Sequence, residues 1–152
     1  MAGPVIGART VSFAMDHRGV CLRPALMDFL RRKGLGYVDR GTGKEEPVDY
    51  PIYARLVVHD ILEKNADFGV LICATGIGMA MAANRFCGIR AVTAINDEMA
   101  EFSRRHGHAN VLCLGSQWVS AKAAAAILEV FLSTPFEGGR HARRIKLLDE
   151  GH

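Results

Sequence analysis

The chain has 152 residues, 49% of them hydrophobic and 23% charged, proportions that suit one globular domain and exclude disordered, collagen-like and coiled-coil readings. Its 19 Lys and Arg against 16 Asp and Glu leave a formal charge of +3, which favours an anionic ligand but falls short of a nucleic-acid-binding surface. The four cysteines, Cys21, Cys73, Cys87 and Cys113, are far apart, with neither a C-x-x-C pair nor a zinc-type cluster, so they read as reduced thiols of a cytoplasmic protein. Residues 1–10 have no signal-peptide pattern and are expected to form a flexible extension.

Along the chain, a short apolar run over residues 11–15 predicts a first strand, ended by Asp16-His17-Arg18-Gly19. Leu22, Leu26, Phe29 and Leu30 then recur at helical spacing. A second strand is expected over 36–39, a polar loop over 41–47, and a helix from Pro51 to about Lys64 with Ala54, Val57, Val58, Ile61 and Leu62 on one side. Residues 69–73 are almost wholly apolar, the pattern of a parallel strand covered on both faces, and Ala74-Thr75-Gly76-Ile77-Gly78 turns the chain into a helix holding Met79 to Arg85. The uncharged run from Phe68 to Asn84 nears the length of a membrane span, but its glycines and its change of period mark it as strand, turn and helix. Strands over 91–95 and 111–115 flank a polar helix over about 97–105. A long helix is expected over about 120–132, and a basic one over about 138–149 closes the chain.

Repeated β-α alternation calls for a parallel sheet with helices on both faces, because each parallel strand needs a crossover and the crossovers cover the sheet. Ligands in such folds bind beyond the carboxyl ends of the strands. There stand Asp16 and His17, then Cys73 to Gly76. Cys73 before a glycine-rich turn can be a thiolate held by free amides, or an ordinary buried cysteine. Gly76 and Gly78 let backbone approach a phosphate or an oxyanion, or merely make the turn tight. Asp16 can bind a hydroxyl or cap a helix, and His17 can hold an anion or lie on the surface. Arg140, Arg143 and Arg144 can clamp a phosphate or face solvent. Gly76-Ile77-Gly78 begins a dinucleotide-type pattern, but the third glycine position is Met81, and neither a Walker A loop nor a nucleophile elbow is present.

Taken in order, Asp16-His17-x-Gly19, Val48 to Pro51, Ile72 to Gly78, Ala83-Asn84, Gly88 to Ala91, His106-x-x-Ala109-Asn110 and Phe136 to Arg144 resemble the ribose-5-phosphate isomerase B family, which includes galactose-6-phosphate isomerase subunits. The match runs from about Val11 to Lys146. The resemblance implies one sugar-phosphate isomerase domain with a three-layer αβα Rossmann-like fold and a mainly five-stranded parallel sheet. It implies a metal-independent, cofactor-free aldose–ketose isomerisation of a small phosphorylated sugar through a cis-enediolate, with ribose 5-phosphate the leading substrate and tetrose or hexose phosphates the alternatives. Cys73 is then the base, Thr75 and the Gly76 to Gly78 turn stabilise the enediolate, and His106 helps open the sugar ring. His17, Arg140 and Arg144 take the phosphate; Asp16, Tyr50 and Asn84 complete the substrate-binding set. The resemblance further implies a homodimer with shared active sites, with a tetramer left open, and no nucleic acid or membrane as partner. Three departures stand out: the family's usual glycine after the catalytic cysteine is Ala74, an alanine is Arg18, and the asparagine after His106 is Gly107. A lost hydrogen-bonding side chain shifts substrate discrimination more than a lost methylene does. A non-catalytic sugar-phosphate-binding protein on the same fold is the rival reading.

Overall fold

The computed structural model describes residues 9–151, so the proposed extension lies almost wholly outside the described residues. The chain alternates β1 (Thr10–Met15), α1 (Arg23–Arg32), β2 (Gly36–Asp39), α2 (Tyr50–Leu62), β3 (Phe68–Cys73), α3 (Ile77–Ala83), β4 (Ala91–Thr93), α4 (Asp97–Arg105), β5 (Val111–Gly115), α5 (Ala121–Ser133) and α6 (Arg140–Glu150). All five strands are parallel, in the order β2-β1-β3-β5-β4. β4 is shorter than the apolar pattern suggests, because Ala94 leaves the ladder after one last bond to the Cys113 carbonyl. Among the described residues no helix is long and apolar enough to cross a membrane.

Two cores separate by the strand period of two. Phe13, Met15, Val70, Ile72, Leu112 and Leu114 face α1, α4 and α5, where Leu26, Leu30, Ile127, Leu128 and Phe131 meet them. Ala14, Leu71, Cys73, Val111 and Cys113 face α2 and α3, packing on Ala54, Val57, Val58, Met79 and Ala83. Leu62, expected on the same side of α2, is left exposed at the end of the helix. The central β3 is buried along its whole length, which is why it carries no polar residue. One polar pair is built into the second core. Ser12 on β1 donates to Asp60 on α2 at 2.6 Å, and Arg40 closes on both carboxylate oxygens at 2.9 Å, locking the β2 end onto α2.

The chain goes from β1 outward to β2, then crosses back to β3 on the other side of β1. Helices therefore leave β1 and β3 in opposite directions, opening a crevice above their carboxyl ends, where this class of sheet binds ligands.

Candidate active site

The crevice is built from four short segments. After β1 the Asp16 amide continues the ladder to the Ile72 carbonyl at 3.1 Å, placing the buried Asp16 beside the end of β3. Its Oδ1 accepts from the amides of Arg18 (2.9 Å) and Gly19 (3.2 Å), a local turn that fixes the carboxylate. Gly19 is required there, since a Cβ would stand 2.6 Å from the Ile72 carbonyl oxygen. His17 Nδ1 accepts from the Val48 amide at 3.2 Å, which makes Nε2 the proton-bearing nitrogen and ties the loop before α2 to the crevice.

At the end of β3, Cys73 is 5% exposed and its Sγ accepts the Gly76 amide at 3.1 Å. That bond needs Gly76 at φ +76°, a left-handed conformation with the Leu114 backbone packed close behind it. Thr75 Oγ1 accepts from the Ile77 amide at 3.2 Å, so its own proton is free for a ligand. Amides of Ser116 and Gln117 bond the Cys73 and Ala74 carbonyls at 2.9 and 3.0 Å, clamping the turn from β5. Ala74 adds a methyl without strain, because its φ is not positive. Tyr50 opens α2, and its ring lies so close over Gly78 that a Cβ at 78 would be 2.7 Å from Cζ. Asp16, His17, Tyr50, Cys73, Thr75, Gly76 and Gly78 thus share one pole of the sheet. Of the two buried thiols, Cys113 is no base: burial and the neighbouring Cys73 push it far up.

The remaining predicted residues lie at the other pole. His106 caps the carboxyl end of α4, just before the segment whose Asn110 carbonyl accepts the Gly69 amide at the start of β3. Four residue steps of about 3.3 Å each separate that level from Cys73. Arg140 and Arg144 are exposed on α6, which Asp149 anchors to Arg90 at the amino end of β4. Asn84 ends α3 with its amide doubly bonded to the N–H and C=O of Ala91, both at 2.8 Å, so both ends of the amide already hold β4 in place.

Two residues the sequence reading missed join His106. The His141 ring stacks on it at 4.2 Å and 9°, and Glu137 lies 3.4 Å from His106 Nε2 and 3.9 Å from His141 Nε2. Burial, then His106 and Arg140, lower the His141 pKa, with Glu137 opposing. Its Nε2 has no protein partner. The one available signal was its position next to Arg140 in the basic run. These three side chains bring their ligating atoms within 4.8 Å of one another, yet Arg105 Nε already sits 3.4 Å from both His106 Nε2 and Glu137 Oε2. The cavities of about 470 and 330 Å³ that flank α3 take in Tyr50, Ile77 and Asn84 but not Cys73.

Comparison with known proteins finds relatives of this sequence and fold. The chain is 46% identical to a ribose 5-phosphate isomerase from Thermotoga maritima, with a TM-score of 0.91 over 93% of this chain and 98% of that one. A Mycoplasma genitalium ribose-5-phosphate isomerase B, solved with ribulose-5-phosphate bound, is 37% identical with a TM-score of 0.88 over 93% and 94%. Ribose-5-phosphate isomerase B of Escherichia coli is 38% identical over 92% of this chain and 94% of its own length. A Rickettsia bellii relative, 44% identical over 89% and 94%, is described no more narrowly than as a sugar phosphate isomerase. By fold and relatives the class is that of an aldose–ketose isomerase on a three-layer αβα scaffold. More particularly, the chain belongs to the Ribose/Galactose Isomerase family, whose model matches residues 11–148.

Proposed function

We propose that this protein interconverts ribose 5-phosphate and ribulose 5-phosphate, with Cys73 as the base, in a single domain that works as a homodimer. The observation that carries the reading is the Gly76 amide on Cys73 Sγ at the β1–β3 crevice, with Asp16 fixed next to it. A thiolate there meets an amide donor and the first turn of α3. Once the sugar is open, Cys73 removes the proton on the carbon beside the carbonyl and returns it to the neighbouring carbon. The negative charge on oxygen that develops between these steps meets the Thr75 hydroxyl and the Gly78 amide, which has no acceptor within the helix. Asp16 and Tyr50 take sugar hydroxyls or the ring oxygen.

Ring opening needs an acid–base group, and phosphate needs cations. His106, Arg140 and Arg144 supply both, but from the far pole, so the reading places them in the crevice of a second copy. Exposed Ile77, Met81, Ile95, Met99, Phe102 and Trp118, on the turns and helices that follow β3, β4 and β5, offer an apolar surface for that copy. His17 Nε2 completes the phosphate site from the Cys73 side.

A second substrate, a tetrose or hexose phosphate, is favoured by Gly107, which offers no side chain to the sugar. The experiment is NMR of purified protein in deuterium oxide with aldose and ketose phosphates of each length. Isomerisation of ribose 5-phosphate with deuterium entering next to the carbonyl is expected. Turnover of another member only would move the substrate, and binding without exchange would overturn catalysis.

A further inference from the structure

At the amino ends of β1, β3 and β5, away from Cys73, lies a cavity of about 400 Å³ whose wall includes Arg9, Arg90, Arg104 and His108 together with Asp67 and Asn110. Arg104 is 7% exposed, and its guanidinium is held between the rings of Phe68 (4.8 Å) and Phe131 (5.7 Å). One terminal nitrogen donates to the Ala109 carbonyl, while Nε has no partner. A buried cation of this kind is costly unless a negative group compensates it. Among the described residues no salt bridge to a carboxylate reaches Arg104 or Arg9.

Neither of the two carboxylates nearby pairs with Arg104. Asp67 Oδ2 accepts from the Thr10 amide at 2.8 Å, and Asp149 accepts from Arg90 at 3.1 and 3.3 Å. Asn110 spends its amide on the Arg90 N–H and the Gly88 carbonyl. His108, at φ +46°, stacks on Phe136 at 4.3 Å and brings no negative charge. Burial first, and then the neighbouring Arg9 and Arg90, lower the Arg104 pKa to about 10.

We propose that this cavity is a second anion site, taking the phosphoryl group of a small molecule between the guanidiniums of Arg9, Arg90 and Arg104. Forked donors from several directions suit a tetrahedral oxyanion. The site is separate from Arg140 and Arg144 and independent of the isomerase reading. It lies beneath the turn between α4 and β5, so a bound anion stiffens the segment that carries His106.

Inorganic phosphate is the probe, titrated by calorimetry and by thermal melting into the full chain carrying Arg140→Ala and Arg144→Ala, which removes the proposed substrate cations. His108→Asp tests the site by placing a carboxylate in its wall, with the melting temperature in phosphate-free buffer reading the cost of the lost Phe136 stack. Aspartate accepts a left-handed backbone, and a carboxylate at this position of the cavity wall is expected to compete with the anion for Arg90 and Arg104. Phosphate is expected to bind and raise the melting temperature of the background protein, with affinity falling on the order of tenfold or more after His108→Asp, and also falling after Arg9→Gln. No phosphate-dependent heat or melting shift in the background protein, or a shift that His108→Asp leaves unchanged, would overturn the proposal. Deuterium exchange into sugar phosphates reads the isomerase function separately.

Discussion

At the scale of single residues, the proposed chemistry rests on one sulfur and one amide. Cys73→Ser keeps the size and the turn but replaces the base with a hydroxyl. Turnover and deuterium exchange are expected to fall by roughly 10²–10⁴-fold with the melting temperature nearly unchanged. Full turnover in that variant would remove Cys73 from the role. Gly107 makes the opposite point. A Cβ there would lie 2.7 Å from the Ser103 carbonyl oxygen, which accepts the Ala109 amide at 3.0 Å, so the turn after α4 has closed around the glycine. Gly107→Asn, which restores the family's usual residue, is therefore expected to destabilise the protein by about 1–3 kcal/mol rather than simply add a sugar contact. Urea melts together with KM for each sugar phosphate check this; unchanged stability with a lowered KM would contradict it. The place of Cys73 at the end of β3 was legible from sequence because a buried strand ending in a glycine-rich turn is a local pattern. His141 and Glu137 were not, because stacking between the end of one helix and the first turn of another some thirty residues later leaves no periodic trace.

Elements carry the next level of argument. The five strands and six α-helices follow from period, caps and punctuation: Pro24 and Pro51 sit in first turns, while Asn96 and Ser120 accept the Met99 and Ala123 amides at 2.8 and 3.1 Å. β4 alone ends early, since the 91–95 run reads as strand but only three residues have a partner on β5. The lock between β2 and α2 also escaped the sequence reading, because Ser12, Arg40 and Asp60 are distant in sequence and each is unremarkable alone. Arg40 donating to Asp60, reinforced by Ser12 and opposed by burial, holds the carboxyl below its ordinary range. Asp60 therefore contributes stability in full above the ordinary carboxylate range, and that contribution is lost as pH falls through its lowered folded value. Asp60→Asn is expected to cost about 2 kcal/mol near neutrality and to flatten the acid limb of the melting profile between about pH 5 and 2. Parallel pH profiles for the two proteins would show otherwise.

For the whole molecule, the two halves of the proposed site at opposite poles of one sheet demand a second copy. Mixing unfolded Cys73→Ser and His106→Gln chains and refolding them gives heterodimers in which one of the two sites has both native residues. About a quarter of wild-type turnover is expected from random pairing, while each variant alone stays inactive. Failure to recover activity from verified heterodimers would place the site within one chain and overturn the shared-site reading.

By itself the sequence determined what local physics determines: which segments are strands or helices, that the strands run parallel, and which residue types stand at their carboxyl ends. Periodicity and turn chemistry act over a few residues, so they are written in the chain directly. The tertiary structure decided the rest. Strand order made β1 and β3 neighbours and so joined Asp16 to Cys73 through the Ile72 carbonyl. It sent His106, Arg140 and Arg144 to the other pole, committed the Asn84 amide to β4, and gathered guanidiniums around a cavity that no motif announces. Those outcomes depend on packing between segments far apart in the chain, where many pairings satisfy the same local pattern and only burial and hydrogen bonding in the assembled fold select one.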